Sequence, residues 1–448
     1  MSHHHDHDDA RFDELSNTRP QGTNFITNDQ SDDGIDRRGF LRCMAWAGTA
    51  TVWGLNAGIP ISFPVHKLSS LTDAQRKSIF FVQVSDSHIG FTKDANKDVT
   101  GTLQEAVAKV NALPQRPALV LHTGDITQLA KADEFDTANE ILKGIKTGRV
   151  FYVPGEHDVA SDSGVTYLQR YGGKETYGGG WHSFDHSGVH FIGLVNVLNL
   201  KAGGLGTLGT EQIAWLEKDV AHLPSSTPIV VFAHIPLWTV YPEWGWGTED
   251  SEQALSYLKR FGSVTVLNGH IHQIMQKVEG NISFHTAMST AFPQPAPGTA
   301  PAPGPMKVEP ARLKSVLGIT DVTFIPGRHN LAVVDATLSG EPPAFEAASH
   351  EAMMKRKATQ KALVLGPNEV GIDNFSFSPR VLKVKAGTTV TWINKDDVPH
   401  LIVSSDNKFK PSKVLDTDQK FSLKLPKRGT YKYFCSLHPM MQGTVIVE

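Results

Sequence analysis

Five short clusters in this chain carry residues that could bind metals, and each closes an apolar run. Asp86 and His88 follow "SIFFVQVS", Gly124-Asp125 follows "PALVLHT", and Gly155-Glu156-His157-Asp158 follows "GRVFYVP". His234 follows "TPIVVFA", and Gly269-His270-Ile271-His272 follows "SVTVLN". One Asp-x-His in a loop is an ordinary turn. Five such clusters in order form a constellation. Carboxylates and imidazoles suit Mn, Fe, Zn and similar ions, and no thiolate is needed. Two such metals about 3.5–4 Å apart can clamp a phosphoryl group and generate a hydroxide nucleophile.

The elements that must position these residues alternate. The apolar runs read as strands buried on both faces. "GTLQEAVAKVNAL" and "ADEFDTANEILKGI" between them have helical spacing, and "GVHFIGLVN" is a further strand. The pattern is α/β, and ligands in such sheets gather at the C-terminal ends of the strands.

The ordered motifs D-x-H, G-D, G-N-H-D/E, H and G-H-x-H mark the calcineurin-like metallophosphoesterases, which this chain resembles over roughly residues 78–345. The resemblance implies an α/β sandwich of β-sheets flanked by helices and a binuclear site. Asp86, His88 and His272 would hold one metal and Asp125 would bridge both. His234, His270 and residue 156 would hold the second. His157 would protonate the leaving alkoxide or stabilise the phosphoryl oxygens, and Asp158 would orient it.

Two positions depart from the family. Glu156 stands where the family has Asn, which adds a methylene and a negative charge beside the phosphate site. Gln128 stands where purple acid phosphatases have a metal-binding tyrosine, which argues against an iron-tyrosinate enzyme. Of the remaining histidines, His122, His182, His186, His190 and His285 read as structural by default, with His122 and His285 the better candidates for a site role. Trp244 and Trp246 in "PLWTVYPEWGWG" could line a substrate mouth or pack against the domain. "FPQPAPGTAPAPGPMKVEP" is too rich in Pro and Gly for a helix or inner strand and reads as an extended insertion that, lying shortly after the metal motifs, either flanks the active site or, as the favoured reading, forms a plain surface loop. "RHNLAVVDATL" looks like a returning strand, and "SHEAMMKRKATQKA" a basic helical linker, residues 346–362.

From residue 363 the runs become short and turn-bounded, as in an all-β sandwich. His400 ends one of them, and Cys435, His438 and Met441 follow in "YFCSLHPMMQG". Two imidazoles, one thiolate and a weak thioether make the ligand set of a blue-copper site. "VKAGTTVTWINKDDVPH" and "CSLHPMMQG" resemble the cupredoxins, amicyanin in style, which implies a Greek-key sandwich with one type 1 copper over residues 363–448. The resemblance also implies the axial ligand: the family's axial Met lies six residues after the Cys, which is Met441 rather than Met440. Cys43, the other of two cysteines, is far away, so a structural disulfide is not expected.

Residues 1–35 are polar and acidic, and "SHHHDHDD" reads as a solvated tail. Arg37-Arg38-Gly39-Phe40-Leu41 before an apolar, small-residue stretch resembles a twin-arginine export signal within residues 1–60. It implies a Tat translocon as a partner during export and a periplasmic or otherwise exported protein, with retention as an uncleaved membrane anchor left open. The formal net charge of -3 gives no nucleic-acid-binding footprint. The expected function is an exported binuclear-metal phosphoesterase acting on a phosphate-ester substrate, with an attached copper domain and its redox partner. The other reading is a catalytically weak phosphoesterase fold that serves as a copper-binding or electron-transfer protein.

Overall fold

The computed structural model describes residues 51–56, 59–64, 78–324, 331–340 and 363–448, all within one compact unit, Ala47–Glu448. The twin-arginine pair, Cys43 and the 346–362 linker lie outside the described residues. Residues Thr51–Asn56 and Ile59–Pro64 pair as an antiparallel two-stranded sheet.

The larger domain is a four-layer sandwich. One sheet has the strand order Ala332–Thr337, Gly318–Phe324, Ile79–Val84, Val120–His122, Val150–Tyr152. Its last three strands are parallel, and Gly318–Phe324 runs antiparallel beside Ile79–Val84. The second sheet has the order Gln276–Glu279, Ile282–Thr286, Val264–Asn268, Ile229–Ala233, Val189–Gly193, His182–His186. Its four central strands are parallel, with antiparallel edges.

The sheets pack face to face through Phe81, Leu121, Phe191, Val230, Phe232 and Val322. These residues alternate with others that point to the helical layers, which is why the central strands read as continuous apolar runs. Helix Val99–Asn111 shows how an outer layer forms. The Asp98 side chain caps it by accepting from Gly101 N at 2.8 Å. Val99, Leu103, Ala106, Val107 and Val110 then recur at helical spacing and are buried against the first sheet. Helix Thr210–Ala221 covers the second sheet with Ile213, Leu216 and Val220.

The smaller domain has two four-stranded sheets. Their orders are Phe377–Ser378, Glu369–Ile372, Thr388–Asn394, Lys420–Leu425 and Val381–Val384, Gln442–Val447, Gly429–Cys435, Ile402–Ser404. Trp392, Tyr433, Val390 and Val445 fill the space between them. Two regions fall where the sequence signals are weak. Gly318–Phe324 sits inside the sheet, next to its edge strand, although no ligand motif marks it, and the Pro-rich insertion lines the site through Pro303, Gly304 and Pro305, the site-flanking placement of the two open to it.

Candidate functional site

All five clusters stand at the C-terminal ends of parallel strands, as expected. The loops are zipped together by their backbones: Asp86 N donates to Gly124 O at 3.0 Å and His88 N to Asp125 O at 2.9 Å. Asp86, His88, Asp125, His270 and His272 all have positive φ, between 41° and 72°. That conformation is costly for non-glycine residues and concentrates at functional sites. Gly124, at φ +94°, is required in a second way: a Cβ there would come within 2.6 Å of His234 Nδ1.

The candidate ligands converge in two buried sets. Asp86, His88 and His272 form one, and Glu156, His234 and His270 the other, with the ligand atoms of each within 4.8 Å of one another. Asp125 reaches both, its Oδ2 lying 3.5 Å from His88 Nε2 and 3.3 Å from His234 Nε2. Glu156 points inward, 3.0 Å from His234 and 2.9 Å from His270.

The hydrogen bonds around the imidazoles test whether metal fits. His272 Nδ1 donates to Phe292 O at 2.6 Å and His234 Nδ1 to Thr123 O at 2.7 Å. His88 Nδ1 pairs with Gln128 Oε1 at 2.9 Å. Each ring therefore turns its Nε2 lone pair inward, and those of His88 and His272 face each other at 3.2 Å. Oδ2 of Asp86, Oε2 of Glu156, Nε2 of His234 and Nδ1 of His270 are buried with no aligned hydrogen-bond partner, despite the close approaches of Glu156 to the histidines. Facing lone pairs and orphaned carboxylate oxygens cost free energy unless a cation lies between them. The donor set of oxygen and imidazole nitrogen fits divalent first-row metals.

The electrostatics agree. Burial opposes charge on Glu156, but His270 and His234 outweigh it and hold the carboxyl well below its usual range. Burial likewise opposes a charge on His234, but Asp125 and Glu156 raise its proton affinity well above the ordinary histidine value. His88 is pushed down to about 3 by burial, with His157 and His272 adding to it against the pull of Asp125. The buried carboxylates thus draw positive charge into the pocket, which a metal ion would supply in place of a proton on His234.

His157 is buried beside this set, 4.8 Å from His88 ring to ring. Its orientation differs from expectation. His157 Nδ1 donates to the backbone oxygen of Gln128 at 2.8 Å. Asp158 instead accepts from Gly155 N, Ile126 N, Thr127 N and Thr127 Oγ1 at 2.9–3.1 Å. Asp158 therefore pins the Gly155 turn to the Asp125 loop and does not orient the His157 ring. Gln128, read in the sequence only as a missing tyrosine, orients two rings. Its place after the Gly-Asp turn was the available signal.

Three of the other described histidines make structural contacts. His122 bonds Ser87 Oγ at 2.8 Å, His285 bonds Asp335 at 3.0 Å, and His190 bonds Asp185 and Asp219. Trp246 is buried, Trp244 packs edge-on against it at 5.0 Å, and both line the metal-ligand pocket. Pro303, Gly304 and Pro305 of the Pro-rich insertion close another side.

In the smaller domain His400, Cys435 and His438 come together. Cys435 Sγ lies 3.5 Å from His400 Nδ1 and 3.7 Å from His438 Nδ1, and the two nitrogens are 3.2 Å apart. Asp396, absent from the sequence-based ligand set, sits 2.8 Å from His400 Nε2 and turns Nδ1 toward the sulfur. It is four residues before His400, the only signal it offered. Burial opposes the Cys435 thiolate, but His400 outweighs it and lowers the thiol below its ordinary value. Met441 is buried in the same loop, its N bonded to His438 O at 2.9 Å, whereas Met440 packs toward Gly245 of the larger domain. The thiolate and imidazole set fits copper.

Residues 81–274 match the calcineurin-like phosphoesterase family, and residues 347–447 match the cupredoxin-like domain family. The chain is 35% identical to amicyanin-alpha of Methylorubrum extorquens over 23% of its own length and 91% of that protein. It is 28% identical to a probable glycerophosphodiester phosphodiesterase of Arcobacter nitrofigilis over 46% of its own length and 77% of that protein. A dimetal phosphatase from Danio rerio aligns over 59% of this chain and 97% of its own, at 13% identity and a TM-score of 0.43. Through its C-terminal domain the chain belongs to the cupredoxins, and it joins to that domain a calcineurin-like phosphoesterase domain.

Proposed function

We propose that the chain is an exported phosphoesterase that hydrolyses phosphate esters at the pocket built by Asp86, His88, Asp125, Glu156, His234, His270 and His272, with a type 1 copper site at His400, Cys435, His438 and Met441. The observation that supports the reading is the inward convergence of carboxylate and imidazole lone pairs from five strand ends, an arrangement that two metal cations would relieve. Two divalent metals there, Mn, Fe or Zn, would supply Lewis-acid charge and the nucleophile. The protein's own part is to hold and orient. Gln128 and the carbonyls of Thr123 and Phe292 fix the imidazoles. His157, held by Gln128 O through Nδ1–H, would in its doubly protonated form present Nε2–H toward the pocket as proton donor to the leaving oxygen. Burial of the set excludes bulk water and strengthens each charge interaction.

Export rests on the Arg37-Arg38 segment alone, and no helix among the described residues is long and apolar enough to cross a membrane. A panel of phosphomonoesters and phosphodiesters with added Mn tests the hydrolase. Turnover of none of them, together with a formed blue site, would favour a copper-binding or electron-transfer role with its own redox partner.

A further inference from the structure

The copper loop is seated on the phosphoesterase domain. Gly203 N donates to Pro439 O at 2.6 Å. Met440 Cγ lies 3.6 Å from the position a Cβ on Gly245 would take. The Phe375 ring lies against Gly304, where a Cβ would come within 2.7 Å of it. Between the domains is the metal-ligand pocket, with His88, Asp125, Glu156 and His157 on one side and Phe375 and His438 on the other. The cavity left there is only about 30 Å³. Pockets for ordinary organic ligands are about 300–1,000 Å³.

The chemistry of His438 makes this wall more than a barrier. Its Nδ1 is turned to Cys435 Sγ and His400. An imidazole that uses Nδ1 for a metal keeps Nε2–H as a donor on the other side of the ring. The His438 ring is partly exposed, packs edge-on to Phe375 at 4.7 Å and faces His157 at 6.3 Å between centroids. His157, held through Nδ1 by Gln128, offers its own Nε2 from the opposite side.

Resting on the phosphoesterase reading above, we propose that the copper domain is the outer wall of the phosphate pocket. It narrows the site so that inorganic phosphate and compact esters of small alcohols are favoured over bulky ones, and it places the copper ligand His438 as a hydrogen-bond donor to the bound phosphoryl group. His438 is then a positioning residue shared by two centres, and an anion in the pocket is felt at the copper. Phe375 sets the width of the opening beside it.

The test uses the full-length protein loaded with copper and manganese. Inorganic phosphate is added while the visible and EPR spectra of the copper are followed, and binding heat is measured separately. The copper spectra should change saturably, with the midpoint that calorimetry gives, and the change should vanish in Asp125→Asn. Binding heat without a spectral change overturns the contact with His438 and leaves the hydrolase standing. A change that survives in Asp125→Asn also overturns it, because the anion then sits at the copper itself. No binding heat in protein of full metal content overturns the hydrolase and the wall together. Phe375→Ala, checked for retained blue colour, should raise kcat/KM for a bulky ester relative to a small one by ~10-fold or more, the scale on which pocket walls discriminate. An unchanged ratio overturns the size limit.

Discussion

Gln128 Oε1 accepts from His88 Nδ1 at 2.9 Å, and this contact fixes which nitrogen of His88 faces the pocket. Outer partners of this kind set ring orientation and basicity, and their loss typically costs ~10–100-fold in metal affinity. Gln128→Leu should weaken metal binding on that scale, read by metal titration of the apoprotein. The His157 ring, held by the Gln128 backbone, should stay in place. An unchanged affinity would show that packing alone orients His88.

Glu156 lies between His234 and His270 and brings a charge that the family's Asn lacks. A unit charge at ~4 Å is worth ~1–4 kcal/mol between bulk water and an effective dielectric of ~20. Glu156→Asn should therefore lower KM for a simple phosphate ester about tenfold at saturating metal, while the second metal binds more weakly. If kinetics and metal content are both unchanged, Glu156 takes no part in the site.

Cys435→Ser should abolish the blue colour while leaving the sandwich folded, since the core around it is carried by Trp392, Tyr433 and Val445. Absorption and circular dichroism read the two effects separately. A variant that remains blue would displace Cys435 from the ligand set.

His190, remote from both centres, sets a pH dependence of stability. Burial works against its charge, but hydrogen bonds to Asp219 and Asp185 outweigh it and raise its pKa above the ordinary 6.5. The folded state then holds the proton more tightly than the unfolded chain. The stabilisation is fully present below about 6.5, the unfolded value, and is lost as pH rises through the raised folded value. His190→Gln should lower Tm most at acid pH, with the gap to the native protein narrowing as pH rises. A gap independent of pH would remove the charge from the account.

Local spacing made the candidate metal ligands legible. Asp86 and His88, or His270 and His272, lie two residues apart on one strand end, so the signal survives without knowledge of the fold. The same holds for Cys435, His438 and Met441 in one loop. What failed to show depends on distant contacts. Asp158 follows His157 directly, yet its carboxylate turns to the backbone of Ile126 and Thr127. Gln128 acts through a ring forty positions away. The Pro-rich insertion lines the pocket where Phe375 of the second domain lies against Gly304. No local pattern encodes how two domains dock.

The central claim is that these strand ends hold metals that hydrolyse phosphate esters, with Asp125 serving both. The most direct measurement is phosphate release by the manganese-loaded full-length protein, set beside its metal content, for the native chain and for Asp125→Asn. The account predicts turnover of a small ester by the native protein, and in Asp125→Asn a fall to background together with loss of metal from both positions. A native protein with full metal content and no turnover of any ester, or an Asp125→Asn protein that keeps its rate, would contradict it.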